Sequence, residues 1–145
     1  SRSDILFRPI QYFLPYNIRH ILLFVHISKT ELDRIKTTMG IRLPIRYMMQ
    51  TDNGKRIPIV VPDDQMRHFM AVTATYDEQL LYLDPAEINF QQGDMVRITQ
   101  GIFTGVVGRF LRIKGGRSRR VVVSVQGVMA VATAALPASF VEKIE

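Results

Sequence analysis

Apolar and polar positions follow two different rhythms along this chain. The run Ile21-Leu22-Leu23-Phe24-Val25-His26-Ile27 is apolar almost without a break and of strand length, which predicts a strand buried on both faces. Ser28-Lys29-Thr30-Glu31 then fits a capping box, with Ser28 and Glu31 satisfying the orphan N–H groups of a helix start. Leu32, Ile35 and Met39 fall on one face of that helix, and Gly40 ends it. Leu43 to Met49 reads as strand, Gln50 to Lys55 as a turn around Asn53-Gly54, and Ile57 to Val61 as another strand. Pro62-Asp63 opens a second helix, capped by Asp63, with Met66, Phe69 and Met70 as its buried stripe. This β–α–β–β–α order predicts a small α+β sandwich.

From Gly93 onward the period changes to two. Met95 to Ile98 is strand-like, and Val106 to Ile113 alternates Val107, Arg109, Leu111 and Ile113 against Val106, Gly108, Phe110 and Arg112. Between them Gly101, Gly105 and Gly108 punctuate a tight turn that carries Phe103. Lys114-Gly115-Gly116-Arg117-Ser118 is a hairpin tip, Arg119 to Gln126 and Val128 to Thr133 are further strands, and Ala138 to Ile144 can close the set. Four or five short strands in so short a stretch predict a small closed or nearly closed barrel. The polar, Pro- and Gly-containing stretch 84–92 separates the two textures and is the best linker. The predicted organisation is an α+β domain at 1–83, a linker at 84–92 and a β-barrel at 93–145.

Composition sharpens the contrast. Apolar residues are 47% of the 145, enough for packed cores. Residues 1–90 carry eleven Lys/Arg against ten Asp/Glu, net +1; residues 91–145 carry eight against three, net +5. The smaller part holds most of the positive charge, which suits a nucleic-acid or other acidic partner, or simply a soluble basic surface. No window holds ~18 consecutive apolar residues, so no membrane span is expected. The start Ser1-Arg2-Ser3-Asp4 has no signal-peptide texture, and Cys is absent, which suits a reducing cytoplasm.

Candidate chemistry is sparse. His20 and His26 lie about 20 Å apart along a strand, too far to share a metal, and His68 sits alone in the second helix. No carboxylate pair comes with a His or Lys partner, no glycine loop precedes a helix as a phosphate cradle would, and no Ser sits in a nucleophile elbow. A binding protein is expected rather than an enzyme, with no metal, cofactor or small-molecule substrate. Lys114, Arg117, Arg119 and Arg120 put four cations on one exposed tip, either to neutralise phosphates or to keep a turn solvated. Phe103 can stack on a base, dock on a protein or plug the barrel. Leu22 and Phe24 can be core or, on a sheet only partly covered by two helices, a partner surface.

Together these pieces resemble the NusG family of transcription elongation factors. The likeness to their C-terminal KOW barrel rests on Gly93-Asp94-Met95-Val96-Arg97-Ile98, then Gly101-Ile102-Phe103, then Gly105 and Gly108, with Ile102 where the family usually has Pro. The tail from Val131 to Pro137 with Val141-Glu142-Lys143-Ile144 is similar to the end of that domain. Leu23-Phe24-Val25-His26, the stretch 43–49, the stretch 60–66 and Tyr76-Asp77-Glu78-Gln79-Leu80 resemble the UpxY-type antiterminators of capsular polysaccharide operons. Two departures stand out. Relatives begin with a Trp-Tyr-type strand and a helix, of which this chain shows neither, so the N-terminal domain reads as truncated. His20-Ile21-Leu22 also replaces the family's Pro-Gly-Tyr. The resemblance implies an SH3-like KOW barrel behind an NGN domain, an α/β sandwich with an antiparallel sheet. It implies docking of Leu22 and Phe24 on the clamp helices of RNA polymerase β′, with non-template DNA or RNA nearby. Gly93, Val96, Gly101, Phe103, Gly105 and Gly108 would form the KOW motif, and the KOW domain would recruit a ribosomal protein, a termination factor or RNA, with Phe103 and the basic tip as the candidates. The expected function is antitermination on polysaccharide operons; the alternative is a ribosome-associated or general RNA-binding KOW protein.

Overall fold

A tight type of hairpin turn is visible first at Asn53-Gly54, where both residues take positive φ, 49° and 79°. Such a turn matches the twist of the strands it joins, here β4 (Met49–Asp52) and β5 (Lys55–Pro58). The computed structural model describes residues 4–14, 20–87, 92–113, 115–125 and 127–145. Predicted features at Lys114, at Gln126 and at 88–91 of the joint lie outside those residues. The described residues form eleven strands in three antiparallel sheets and two α-helices, an α+β protein. The chain divides into two compact units, Ser1–Asp63 and Asp64–Glu145. The predicted boundary stood later, at 84–92.

In the first unit, β1 (Leu6–Phe13) is the centre of a three-stranded sheet ordered β2-β1-β3, with β2 at His20–Ile27 and β3 at Ile45–Tyr47. The sequence reading placed no strand before Ile21, so β1 corrects it. Proline normally argues against a central strand because it cannot donate to the ladder. Here the pairing of β1 with β3 covers Ile10 to Tyr12 and stops beside Pro9, while the Pro9 carbonyl still accepts from Met48 N–H at 3.3 Å. Arg8 is the other misleading residue. It is buried, yet its Nε donates to Ile27 O at 2.9 Å and its guanidinium pairs with Asp4 at 3.1 Å.

Helix α1 (Lys29–Met39) begins as predicted: Glu31 N–H donates to Ser28 Oγ at 3.1 Å. The reciprocal half of the capping box is replaced, because the Glu31 carboxylate turns to Arg34 instead. Leu32 from α1 packs with Ile10 and Ile45, joined by Tyr12, Val25, Ile27 and Tyr47. Tyr47 also donates its hydroxyl to Asp33 at 2.6 Å, tying sheet to helix. The predicted strand from Leu43 to Met49 is split at Met48, where the chain leaves β3 and enters β4. The predicted strand from Ile57 to Val61 ends at Pro58; Ile59 and Val61 instead donate to Met48 O and Phe7 O.

In the second unit, six antiparallel strands run in the order β11-β7-β8-β9-β10-β6. They are β6 (Leu81–Leu83), β7 (Asp94–Ile98), β8 (Val107–Arg112), β9 (Arg119–Val125), β10 (Met129–Ala132) and β11 (Val141–Lys143). Strands β7 to β11 lie close to the places predicted in the all-β region, whereas β6 was not predicted and lies before it. Register puts Val96, Phe110, Val121, Val123 and Val131 on one face, and all five are buried. The opposite face has its own cluster of Leu83, Val122, Ala130 and Ala132, with Leu111 and Ile113 against it. Helix α2 (Asp63–Thr73) buries Met66, Phe69 and Val72. Met70, predicted in that stripe, is exposed, since it projects about 160° around the helix from Val72.

Candidate functional site

Strand β2 lies at the edge of its sheet, and its register with β1 sorts its side chains into two rows. Ile21, Leu23, Val25 and Ile27 stand on the α1 side. His20, Leu22, Phe24 and His26 stand on the other. The expectation of a strand buried on both faces is therefore corrected: Ile21 is 46% exposed and Leu23 41%. A long apolar run looks the same whether its strand is central or at an edge, because only strand order decides what covers it. Leu22 and Phe24, the predicted docking residues, are half-buried. Their histidine neighbours are occupied by rings and amides: His26 stacks on Phe7 with centroids 4.2 Å apart, and His20 Nε2 lies 3.1 Å from Gln11 Nε2.

The predicted KOW-motif residues are brought together around β7 and β8, where they shape the backbone. A Cβ on Gly93 would stand 2.6 Å from Phe110 O, and one on Gly108 would stand 2.5 Å from Val122 O. Gly101 and Gly105 take φ of 87° and 91°, which only glycine adopts freely. The turn is closed by Gly105 N–H to Ile98 O at 2.7 Å and Val106 N–H to Phe103 O at 3.1 Å. Val96 is buried, and Phe103 is 4% exposed. A ring so covered packs inside the second unit and offers little surface for stacking or docking. Ile102, beside it, is the exposed large apolar side chain of that turn, at 66%.

The basic tip joins β8 to β9, and its predicted cations part company. Arg117 and Arg119 are exposed. The Arg119 guanidinium lies 4.4 Å from the Phe110 ring centroid, a cation–π geometry that leaves its charge intact. Arg120 is half-buried: its Nη1 donates to Gln79 O at 2.8 Å and to Thr133 O at 2.9 Å. Part of its guanidinium is thus spent within the unit. Arg112, absent from the predicted binding set, stands directly across from Arg119 and is exposed. Its signal lay in the alternation of the hairpin, which requires the register to be read.

Under the first turns of α2 lies a cleft of about 440 Å³. Gln65 and His68 border it from the helix, and Met95, Val107, Val122 and Ser124 from the sheet. His68 Nδ1 accepts from Val107 N–H at 3.3 Å. Burial, with Arg67 and Arg97 nearby, holds the His68 pKa below the ordinary imidazole value, against the opposing pull of Asp64. Among the described residues no three His, Asp or Glu side chains gather as a metal site would need, and no helix is long and apolar enough to cross a membrane. No protein-family profile, no curated protein and no solved structure matches the chain.

Proposed function

We propose that this chain is a NusG-like transcription factor, with residues of the first unit forming an NGN-like sandwich and β7 to β11 a KOW-type barrel. The observation that carries the reading is an apolar edge strand, β2, in one compact unit, combined with a glycine-shaped, basic β module in the other. An exposed apolar strand edge is a liability in a free protein unless a partner covers it. In this reading β2 docks on the clamp helices of RNA polymerase β′ in the cytoplasm. Docking favours the closed, processive enzyme by binding it better than the open one, with no covalent step. The second unit contacts nucleic acid or a second protein, and the regulated genes are polysaccharide operons.

Retention of core RNA polymerase by the immobilised 145-residue chain tests this. The wild-type chain is expected to retain it, and Leu22→Asp or the pair Ile21→Glu and Leu23→Glu to abolish retention. A wild-type chain that retains no polymerase overturns the reading. The second reading, an RNA-binding KOW protein without a polymerase contact, is favoured by the exposed arginines of the β8–β9 hairpin. Retention of RNA together with failure to retain polymerase selects it.

A further inference from the structure

From Met95 to Val141 the sequence contains no Asp or Glu, yet it carries Arg97, Arg109, Arg112, Lys114, Arg117, Arg119 and Arg120. The three acids flanking this stretch are all engaged in ion pairs. Glu142 pairs with Arg97 at 3.4 Å, Glu145 with Arg109 at 3.4 Å, and Asp94 with Lys143 at 3.6 Å. Arg120 is clamped between two carbonyls. Among the described residues of this stretch, the arginines left without an acidic partner or a carbonyl clamp are Arg112, Arg117 and Arg119, at the β8–β9 hairpin. Arg112 and Arg119 are direct cross-strand partners, so their side chains leave the sheet only about 5 Å apart. Like charges placed opposite each other weaken a hairpin, so folding alone disfavours the pair.

We infer that Arg112, Arg117 and Arg119 form a sequence-independent site for the phosphodiester backbone of a nucleic acid. A regular row of singly charged phosphates suits two adjacent guanidinium forks, each able to make bidentate contacts. An acidic protein is the poorer fit. Protein interfaces are anchored by apolar or aromatic side chains at their centre, whereas residues 115–119 are exposed and are all Gly, Arg or Ser. The inference deepens the proposed function and rests on it only for a nucleic acid being within reach.

Binding of the 145-residue chain to labelled single-stranded RNA, single-stranded DNA and duplex DNA across a salt series tests the site without any polymerase. The pair Arg112→Ala and Arg119→Ala is expected to reduce the slope of log K against log salt by about 1.4 on a single strand. Between about 50 and about 200 mM salt the wild type then loses about sevenfold more affinity than the variant. Arg112→Lys with Arg119→Lys keeps the slope, showing that the charge and not the fold was removed. The strand on which the slope falls identifies the source of the phosphates. An unchanged slope on all three overturns the proposal. So does an equal fall with Arg97→Ala and Lys143→Ala, or equal binding to polyglutamate. Intact nucleic-acid binding alongside absent polymerase retention sinks the proposed function alone.

Discussion

Gly93 and Gly108 show how a residue without a side chain can be the most constrained in a strand pair. Both lie where the backbone of a neighbouring strand comes closer than any Cβ allows, at Phe110 O and Val122 O respectively. Gly108→Ala is expected to cost about 1–3 kcal/mol through overpacking. Gly93→Ala adds about 1 kcal/mol more, because its φ of 80° also disfavours an L side chain. Urea unfolding should rank Gly93→Ala below Gly108→Ala, and both below the wild type; equal midpoints for all three would contradict the close approaches. His68 sets the other residue-scale expectation. Its neutral ring accepts from Val107 N–H, and its pKa lies below that of a free imidazole. The unfolded chain therefore binds a proton more readily than the folded one as pH falls below the ordinary imidazole value. Stability from this group is present above that value and is lost as pH drops through the lowered one. The melting temperature should fall between about pH 7.5 and about pH 5, and His68→Gln, which can still accept the bond, should flatten that fall. An equally steep fall in His68→Gln would assign the pH dependence elsewhere.

At the scale of elements, the β8–β9 hairpin sets stability against charge. Replacing Arg112 by Glu turns a repulsive cross-strand pair into an attractive one, so Arg112→Glu is expected to gain about 0.2–1 kcal/mol in thermal unfolding. A loss of stability instead would mean that Arg112 makes a structural contribution the register does not explain. Ser28→Ala should cost about 1 kcal/mol, since it removes the acceptor for Glu31 N–H at the start of α1. These elements also show what could be read in advance. The glycines and Val-rich alternation after residue 93 predicted β7 to β10 closely, because a period of two with turn residues between is a local property. The Ser28 cap and the Asn53-Gly54 turn were equally local. Strand β1 was hidden because Pro9 and Arg8 are tolerated only through partners distant in sequence, Met48 and Ile27. The edge position of β2 was hidden for the same reason, as were the carbonyl contacts of Arg120 and the pairing of Arg112 with Arg119. Each depends on which strand lies alongside.

At the scale of the whole molecule, the least local property is where one unit stops. Composition places the joint in the polar stretch 84–92, but β6 pairs with β10 just before it: Leu83 with Ala130, Tyr82 with Val131 and Leu81 with Ala132. Leu83 is buried in the cluster of Val122, Ala130 and Ala132, and the Gln79 carbonyl holds Arg120. A fragment of residues 84–145 would lose all of these, leaving β10 as an unprotected edge. Removing the buried Leu83 side chain alone withdraws about 1.5–3 kcal/mol of apolar burial. A fragment of residues 64–145 keeps β6, the Arg120 clamp and the His68 bond to β8. The longer fragment should therefore unfold at higher urea than the shorter one by at least that margin. Amide exchange should locate the difference at Ala130 and Ala132, whose strand would have lost its neighbour. Equal urea midpoints, or exchange that changes only outside β10, would return the boundary to the polar stretch and make β6 an appendage of the first unit.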